Sequence, residues 1–364
     1  MLKVLNVLFY LFYMFLLFFF ATLKKTKNNK RFLKIFVILM LFFFFIKELG
    51  LDYRVYQSWY YDLNILNKYR MFKEHVEPIP YFFMLTLRKL NLSHRFFFLI
   101  MGGIPLLINF YIINKLKYNR LLALFFLFYI NFFTGFSDAI RQNIAAAFLL
   151  LSIYLYTNNK KIKSLLIMVL SFFSHYSTIF ILPILILKKI KWSIRKYILT
   201  ILIVFICSFF IKTSLNYLEY LNTNNILLWK LKYYLLTVKT RYEYNNFLHY
   251  ILLKAMILFN CFGVVLLNII LLKRKNIFEK ILKLILEISI VSSIFSLFFL
   301  FIGAETIGAR ISLTFSYGLY LLIPNTFIDK KERAIILIYY FIYNFIVMLY
   351  YAGIHDSRSP FYLL

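Results

Sequence analysis

Residues 4–34 read VLNVLFYLFYMFLLFFFATL and then KKTKNNKRFLK. The first twenty of these carry no charge, and the eleven that follow carry six Lys or Arg and no acid. About 20 mostly apolar residues suffice for a helix to span the hydrocarbon core of a bilayer. A dense Lys/Arg flank marks the cytoplasmic end of such a span. The apolar run lacks the small-residue cleavage pattern of a secretory signal, so it reads as a retained first span.

The same alternation continues along the chain. Of its 364 residues, 63% are hydrophobic and 16% are charged, whereas soluble domains carry about 25% charged residues. Forty-five Phe and 30 Tyr exceed what a water-soluble core of this size can bury. The net charge of +29 suggests a nucleic-acid partner, but such proteins place their Lys and Arg on a solvated face. Here 25 of the 43 fall in six short clusters between apolar runs: 24–34, 115–120, 160–163, 188–196, 273–283 and 330–333. That pattern excludes a nucleic-acid binder and makes the bilayer itself a partner. Candidate spans are 4–23, 32–47, 96–114, 121–137, 140–156, 196–213, 248–272, 280–302, 308–325 and 333–352. The expectation is an all-α polytopic integral membrane protein of about 10–12 transmembrane helices, one transmembrane domain over the whole chain. Cys207 and Cys261 lie inside apolar runs without metal-ligand spacing, so neither zinc nor a disulfide framework is indicated.

Two stretches resist assignment as spans. Residues 79–90 are too short to cross and follow Pro78, with Pro80 inside. Residues 163–187 are long enough for one crossing but contain Ser171, Ser174, His175, Ser177, Thr178 and Pro183. Keeping 115–120, 160–163 and 188–196 all cytoplasmic requires 163–187 to be a re-entrant hairpin or broken helix. The competing reading is one continuous helix, with Ser171, Ser174, His175 and Thr178 as a polar stripe. Under the first reading, 48–95 and 214–247 are outer elements. Four basic and five acidic residues in 48–77 agree with an outer location.

Ionisable groups at the edge of a span are functional candidates by default. Asp52, Glu77, Asp138, Arg141, His175 and Arg310 are six such groups, and this topology gathers them toward the outer side. In Phe136-Ser-Asp-Ala-Ile-Arg-Gln-Asn-Ile-Ala-Ala-Ala147, helical spacing puts Asp138, Arg141 and Gln142 on one face. Asn143 adds a polar group, and Ala145–Ala147 offer a thin wall for another helix. An arginine beside the N–H groups of a helix N-terminus is suited to hold a phosphate. The alternative is a structural Asp138–Arg141 pair. Trp59, Tyr60 and Tyr61, like Trp229, Tyr233 and Tyr234, suit either sugar stacking or, more commonly, an interfacial aromatic belt.

Taken in order, these motifs resemble the EpsG-like family of bacterial exopolysaccharide and O-antigen polymerases, the Wzy type. The motifs are Asp52-Tyr53-x-x-Tyr56, Glu77-Pro78, Ser137-Asp-Ala-Ile-Arg-Gln-Asn-Ile-Ala145, Phe172-Phe-Ser-His-Tyr-Ser177 with Leu182-Pro183, and a late Arg310. The chain departs from the family pattern at Glu77-Pro-Ile-Pro80, where Glu-Pro-Gly-Tyr or Glu-Pro-Leu-Tyr is more usual. The resemblance implies a GT-C-like fold in the bacterial inner membrane. It implies transfer of a growing glycan from undecaprenyl pyrophosphate to a lipid-linked repeat unit at the outer face. It further implies Arg141 and Arg310 as pyrophosphate clamps with Gln142 in support, and Tyr53 and Tyr56 as substrate-binding residues. His175, Asp52 or Glu77 would be the general base. No metal or other cofactor is expected, since two arginines can supply the charge stabilisation. A chain-length regulator is a candidate partner. A flippase for lipid-linked oligosaccharide and a glycan ligase or other lipid-donor glycosyltransferase are the rival readings.

Overall fold

The computed structural model describes residues 2–23, 29–46, 52–61, 76–115, 119–131, 139–187, 190–215, 247–273, 280–326 and 330–353. All regular structure among them is helical. Asp138 and residues 216–246, with Trp229, Tyr233 and Tyr234, lie outside the described residues. Four stretches are long and apolar enough to cross a membrane: His94–Lys115, Ile194–Ile211, Lys254–Leu272 and Lys280–Ile302. Phe9–Thr22, Arg120–Asn131 and Ala334–Val347 are shorter apolar helices. The chain divides into two compact units, the first comprising Met1–Ile179, Glu279–Leu282 and Tyr317–Asp329.

In the first unit, α1 (Leu2–Thr22), α2 (Lys30–Ile46) and α3 (Asp52–Tyr61) precede the short α4 (Pro78–Lys89). The long α5 (His94–Lys115), α6 (Arg120–Asn131), α7 (Ile140–Thr157) and α8 (Lys161–Ser174) follow. Two proline signals explain where α4 begins. Pro78 and Pro80 lack N–H groups, so they cost nothing in the unpaired first turn, and Glu77 before them is extended (φ −71, ψ 156). At twelve residues α4 cannot cross a bilayer, as its sequence indicated.

α7 and α8 form an antiparallel hairpin. Its turn uses Asn159 in the left-handed region (φ 61), where asparagine is tolerated. Small residues then zip the two helices. Ser152 and Ser164 each donate to the other's carbonyl at 2.8 Å, and Ser171 donates to the Ala145 carbonyl at 2.7 Å. Each such bond between membrane helices contributes about 0.6–2 kcal/mol. The alanine run is thus the close-approach wall its composition suggested. Ser171, read from the sequence as part of a polar stripe, is helix glue.

The described residues of three basic clusters, 24–34, 115–120 and 160–163, lie at one end of this unit. Asn119 donates to the Ala21 carbonyl at 2.8 Å, which brings the end of α1 to the 115–120 cluster. Tyr111 of α5 meets Tyr154 of α7 at 5.7 Å between rings, near the α7–α8 turn with Lys160 and Lys161. At the opposite end, Phe45 of α2 packs on Phe96 of α5 at 5.2 Å.

The 163–187 segment is not one continuous helix. α8 stops at Ser174, His175 is extended (φ −161, ψ 125), and a 3-10 turn follows over Tyr176–Phe180. The broken form expected from charge placement is therefore present at His175. The expected single span 308–325 is also two helices, α13 (Glu305–Phe315) and α14 (Leu319–Thr326), separated by a turn. Gly318 and the back-bonding of the Ser316 hydroxyl to the Ser312 carbonyl mark that interruption.

The second unit contains α9 (Ile181–Leu187), α10 (Ile194–Leu215), α11 (Phe247–Leu272), most of α12 (Lys280–Ile302), α13 and α15 (Lys330–Gly353). Several of its buried polar groups tie helices together. Tyr197 and Ser293 bond at 2.6 Å, Asn268 donates to both, and Ser289 donates to Asn268. Cys261 lies buried against Ser296 at 3.0 Å and Cys207 is exposed; both are free thiols.

Candidate functional site

An arginine in the first turn of a helix faces the positive end of the helix dipole and needs an anion nearby. Arg141 is the second residue of α7, and Ala139 before it offers no capping side chain. Glu77 supplies one: Arg141 Nη1 donates to Glu77 Oε2 at 2.6 Å. Glu77 is the N-cap residue of α4 but makes no side-chain cap bond. With prolines at the first and third positions of that helix, fewer N–H groups compete for its carboxylate. The departure Glu77-Pro-Ile-Pro80 thus leaves the carboxylate to the arginine.

Two more side chains contact Arg141. Its Nε donates to the Tyr56 hydroxyl at 2.6 Å, and its guanidinium carbon lies 5.7 Å from the Trp59 ring centroid. At that range the ring face attracts the cation, by about 0.5–2 kcal/mol depending on desolvation. On the other side of Glu77, His175 Nε2 is 3.8 Å from Oε1. The antiparallel hairpin explains this meeting, because it brings the start of α7 and the end of α8 to the same level.

Both ionic partners are largely withdrawn from solvent, with side chains 18% and 7% exposed for Arg141 and Glu77. Burial raises the proton affinity of Glu77. The Arg141 charge, helped by His175 and by hydrogen bonds, outweighs it and holds the carboxyl below its ordinary range. Glu77 is therefore an anion in this arrangement and a weak proton acceptor. The cluster offers a fixed cation at a helix N-terminus, an imidazole, and a carboxylate between them. Such an arrangement can hold an anionic leaving group and accept a proton beside it.

The model of the EpsG family matches residues 31–362. This chain belongs to the EpsG family. No match was found among curated proteins or among solved structures.

Glu77, Arg141, His175 and Tyr56 come together within the first unit. Gln142 is buried one position beyond Arg141. Asp52 is the first residue of α3.

Tyr53 does not join the arginine. It stacks on Phe98 at 4.6 Å and its hydroxyl meets His94 Nε2 at 2.8 Å. Tyr61 reaches the other ring nitrogen of His94 at 2.7 Å. Tyr53, Gln57 and Tyr61 recur every four residues, so one stripe of α3 grips His94 at the start of α5. The opposite-leaning Tyr56 and Trp59 are thereby presented to Arg141. His94 carries no sequence signal beyond being a histidine at a span edge.

Arg310 belongs to the second unit, half-buried on α13. Thr314 donates to its carbonyl at 2.8 Å, so that hydroxyl serves the helix backbone. In α7, Asn143 is buried with neither amide atom hydrogen-bonded. It points to a different side of the helix from Arg141, since two residues turn the helix by about 200°.

Proposed function

We propose that this EpsG-family protein is a membrane polysaccharide polymerase. It transfers a growing glycan from undecaprenyl pyrophosphate onto a lipid-linked repeat unit at the outer face of the bacterial inner membrane. The observation that carries this reading is the buried cluster of Arg141, Glu77 and His175 at the end of the first unit opposite its basic loops. Those loops mark the cytoplasmic side by the positive-inside rule, which makes the cluster periplasmic or extracellular. About 10–12 crossings, with 163–187 re-entrant at His175, accommodate all six basic clusters on the inner side.

The chemistry asks for little beyond charge and a proton acceptor. The anomeric carbon of the donor glycan loses its bond to the pyrophosphate oxygen and gains one to an acceptor hydroxyl oxygen. The acceptor proton leaves to a base. Arg141, at the N-terminus of α7 and with Gln142 adjoining, holds the departing pyrophosphate, whose negative charge grows in the transition state. Arg310, on α13, is the second arginine that the family resemblance assigns to pyrophosphate binding. Among the candidate bases, His175 fits better than Glu77, whose affinity for a proton Arg141 has reduced.

Complementation of a strain lacking its own polymerase tests this. Active protein restores a ladder of glycan lengths, and Arg141→Ala or Arg310→Ala collapses it to single repeats at unchanged protein level. A ladder surviving both substitutions overturns the site assignment. Loss of all surface glycan would indicate a flippase, and loss of attachment with chain length intact a ligase.

A further inference from the structure

His175 holds its ring in a defined protonation pattern. Its backbone is extended immediately before the 3-10 turn Tyr176–Phe180, which lets the imidazole fold back over the first residues of that turn. The backbone N–H of Ser177 donates to Nδ1 at 3.2 Å. A peptide N–H can only donate, so Nδ1 carries the lone pair and the neutral ring keeps its proton on Nε2. Nε2 is the nitrogen that faces Glu77 Oε1 at 3.8 Å. The proton-bearing side of the ring therefore looks at the carboxylate, and the accepting side looks at Ser177.

The Ser177 hydroxyl lies 2.8 Å from the same Nδ1. The neighbouring hydroxyls are otherwise engaged: Ser171 bonds the Ala145 carbonyl, Ser174 the Leu170 carbonyl and Thr178 the His175 carbonyl. These three are buried, whereas Ser177 is partly open. Carboxylate, imidazole and hydroxyl thus follow one another as Glu77, His175 and Ser177, in the connectivity that activates a hydroxyl in acyl-transfer enzymes.

We propose that Ser177 is a catalytic residue, the hydroxyl through which the acceptor sugar gives up its proton to His175. This rests on the polymerase reading above and deepens it. As the acceptor oxygen bonds to the donor anomeric carbon, its proton passes to Ser177 Oγ, and the Ser177 proton passes to His175 Nδ1. The anomeric carbon–pyrophosphate bond breaks with its electron pair on the pyrophosphate beside Arg141. The imidazolium so formed has its Nε2–H toward Glu77, whose negative charge stabilises it. Ser177 forms no bond to carbon and emerges unchanged.

Purified protein in nanodiscs, given lipid-linked repeat units, provides the test. Ser177→Ala is expected to lower the elongation rate at saturating repeat unit by at least about 100-fold, the low end for positioned proton transfer. Its binding of the repeat unit and its melting temperature should stay close to wild type. Ser177→Thr keeps the hydroxyl and should recover most of the rate, whereas the equally shaped Ser177→Val should not. If Ser177→Ala fails to fold, the Thr/Val pair decides alone, compared at matched melting temperature. A solvent deuterium effect on elongation that is larger in wild type than in Ser177→Ala supports the relay. Wild-type elongation in Ser177→Ala or Ser177→Val, with His175→Ala and Arg141→Ala inactive, overturns the relay and leaves the polymerase site standing. Wild-type elongation in all of them overturns the site itself.

Discussion

Glu77 and Arg141, 64 positions apart in sequence, meet in a largely buried ion pair at 2.6 Å, one at the N-cap and the other in the first turn of a different helix. Removing one partner of a buried pair leaves the other charge uncompensated, at a cost of about 3–5 kcal/mol. Glu77→Gln preserves the side-chain shape but not its charge. It is expected to lower the melting temperature in detergent markedly and to abolish the glycan ladder. A Glu77→Gln protein as stable and as active as wild type would show that the pair holds nothing in place.

The same pair sets a pH dependence of stability. The Glu77 carboxyl in the folded protein lies below its ordinary range, with Arg141 overcoming the effect of burial. Its folded proton affinity is thus lower than its unfolded one. Its contribution is fully present above the ordinary carboxylate range, near pH 4–5, and is lost as pH falls through the folded value. Melting curves of wild type and Glu77→Gln should therefore stay separated at neutral pH and converge only at acid pH. Convergence above about pH 6 would contradict the shift.

Tyr56→Phe deletes only the oxygen that receives the Arg141 Nε proton at 2.6 Å. Hydrogen bonds to charged groups contribute about 1.5–3 kcal/mol, so elongation should fall by about tenfold or more while the protein still folds. Tyr53→Phe should act differently. Its hydroxyl bonds His94, so the effect should appear in stability before activity. Parallel measurement of melting temperature and elongation rate for the two variants separates these roles.

Gly308 packs where a side chain has no room. A Cβ there would lie 2.6 Å from the Ser296 carbonyl oxygen, and Ser296 Oγ donates to the Gly308 carbonyl at 2.7 Å. Gly308→Ala should therefore destabilise by about 1–3 kcal/mol through forced separation of α12 and α13. Thermal unfolding in detergent checks this, and an unchanged midpoint would show that the helices shift without cost.

Single cysteines report sidedness directly. Asn29→Cys and Lys160→Cys, at the end of the first unit with the basic loops, should react with the same side-specific reagent. Ser58→Cys, on the exposed side of α3 near Tyr56 and Arg141, should react only from the other side. Matching reactivity of Ser58→Cys and Lys160→Cys would refute the outer location of the site.

The sequence by itself determined that this is a helical membrane protein, pointed to its family and nominated a short list of chemical groups. Apolar runs of bilayer length between Lys/Arg clusters leave a helical membrane protein as the physical solution, because backbone groups in hydrocarbon must bond within their own segment. Spacing alone also put Arg141 at a helix start and marked 79–90 as too short to cross. It did not show that Arg141 meets Glu77, which lies 64 positions away along the chain. That meeting came from packing: the α7–α8 hairpin, zipped by Ser152, Ser164 and Ser171, sets His175 level with Arg141. The prolines of α4 then free the Glu77 carboxylate to sit between them. Tyr53 and Tyr56, three residues apart in one motif, part company for the same kind of reason, one facing His94 and the other Arg141. The protonation pattern of His175 was the least legible of all, because it depends on a single backbone N–H whose direction exists only once α8 has ended and the 3-10 turn has formed.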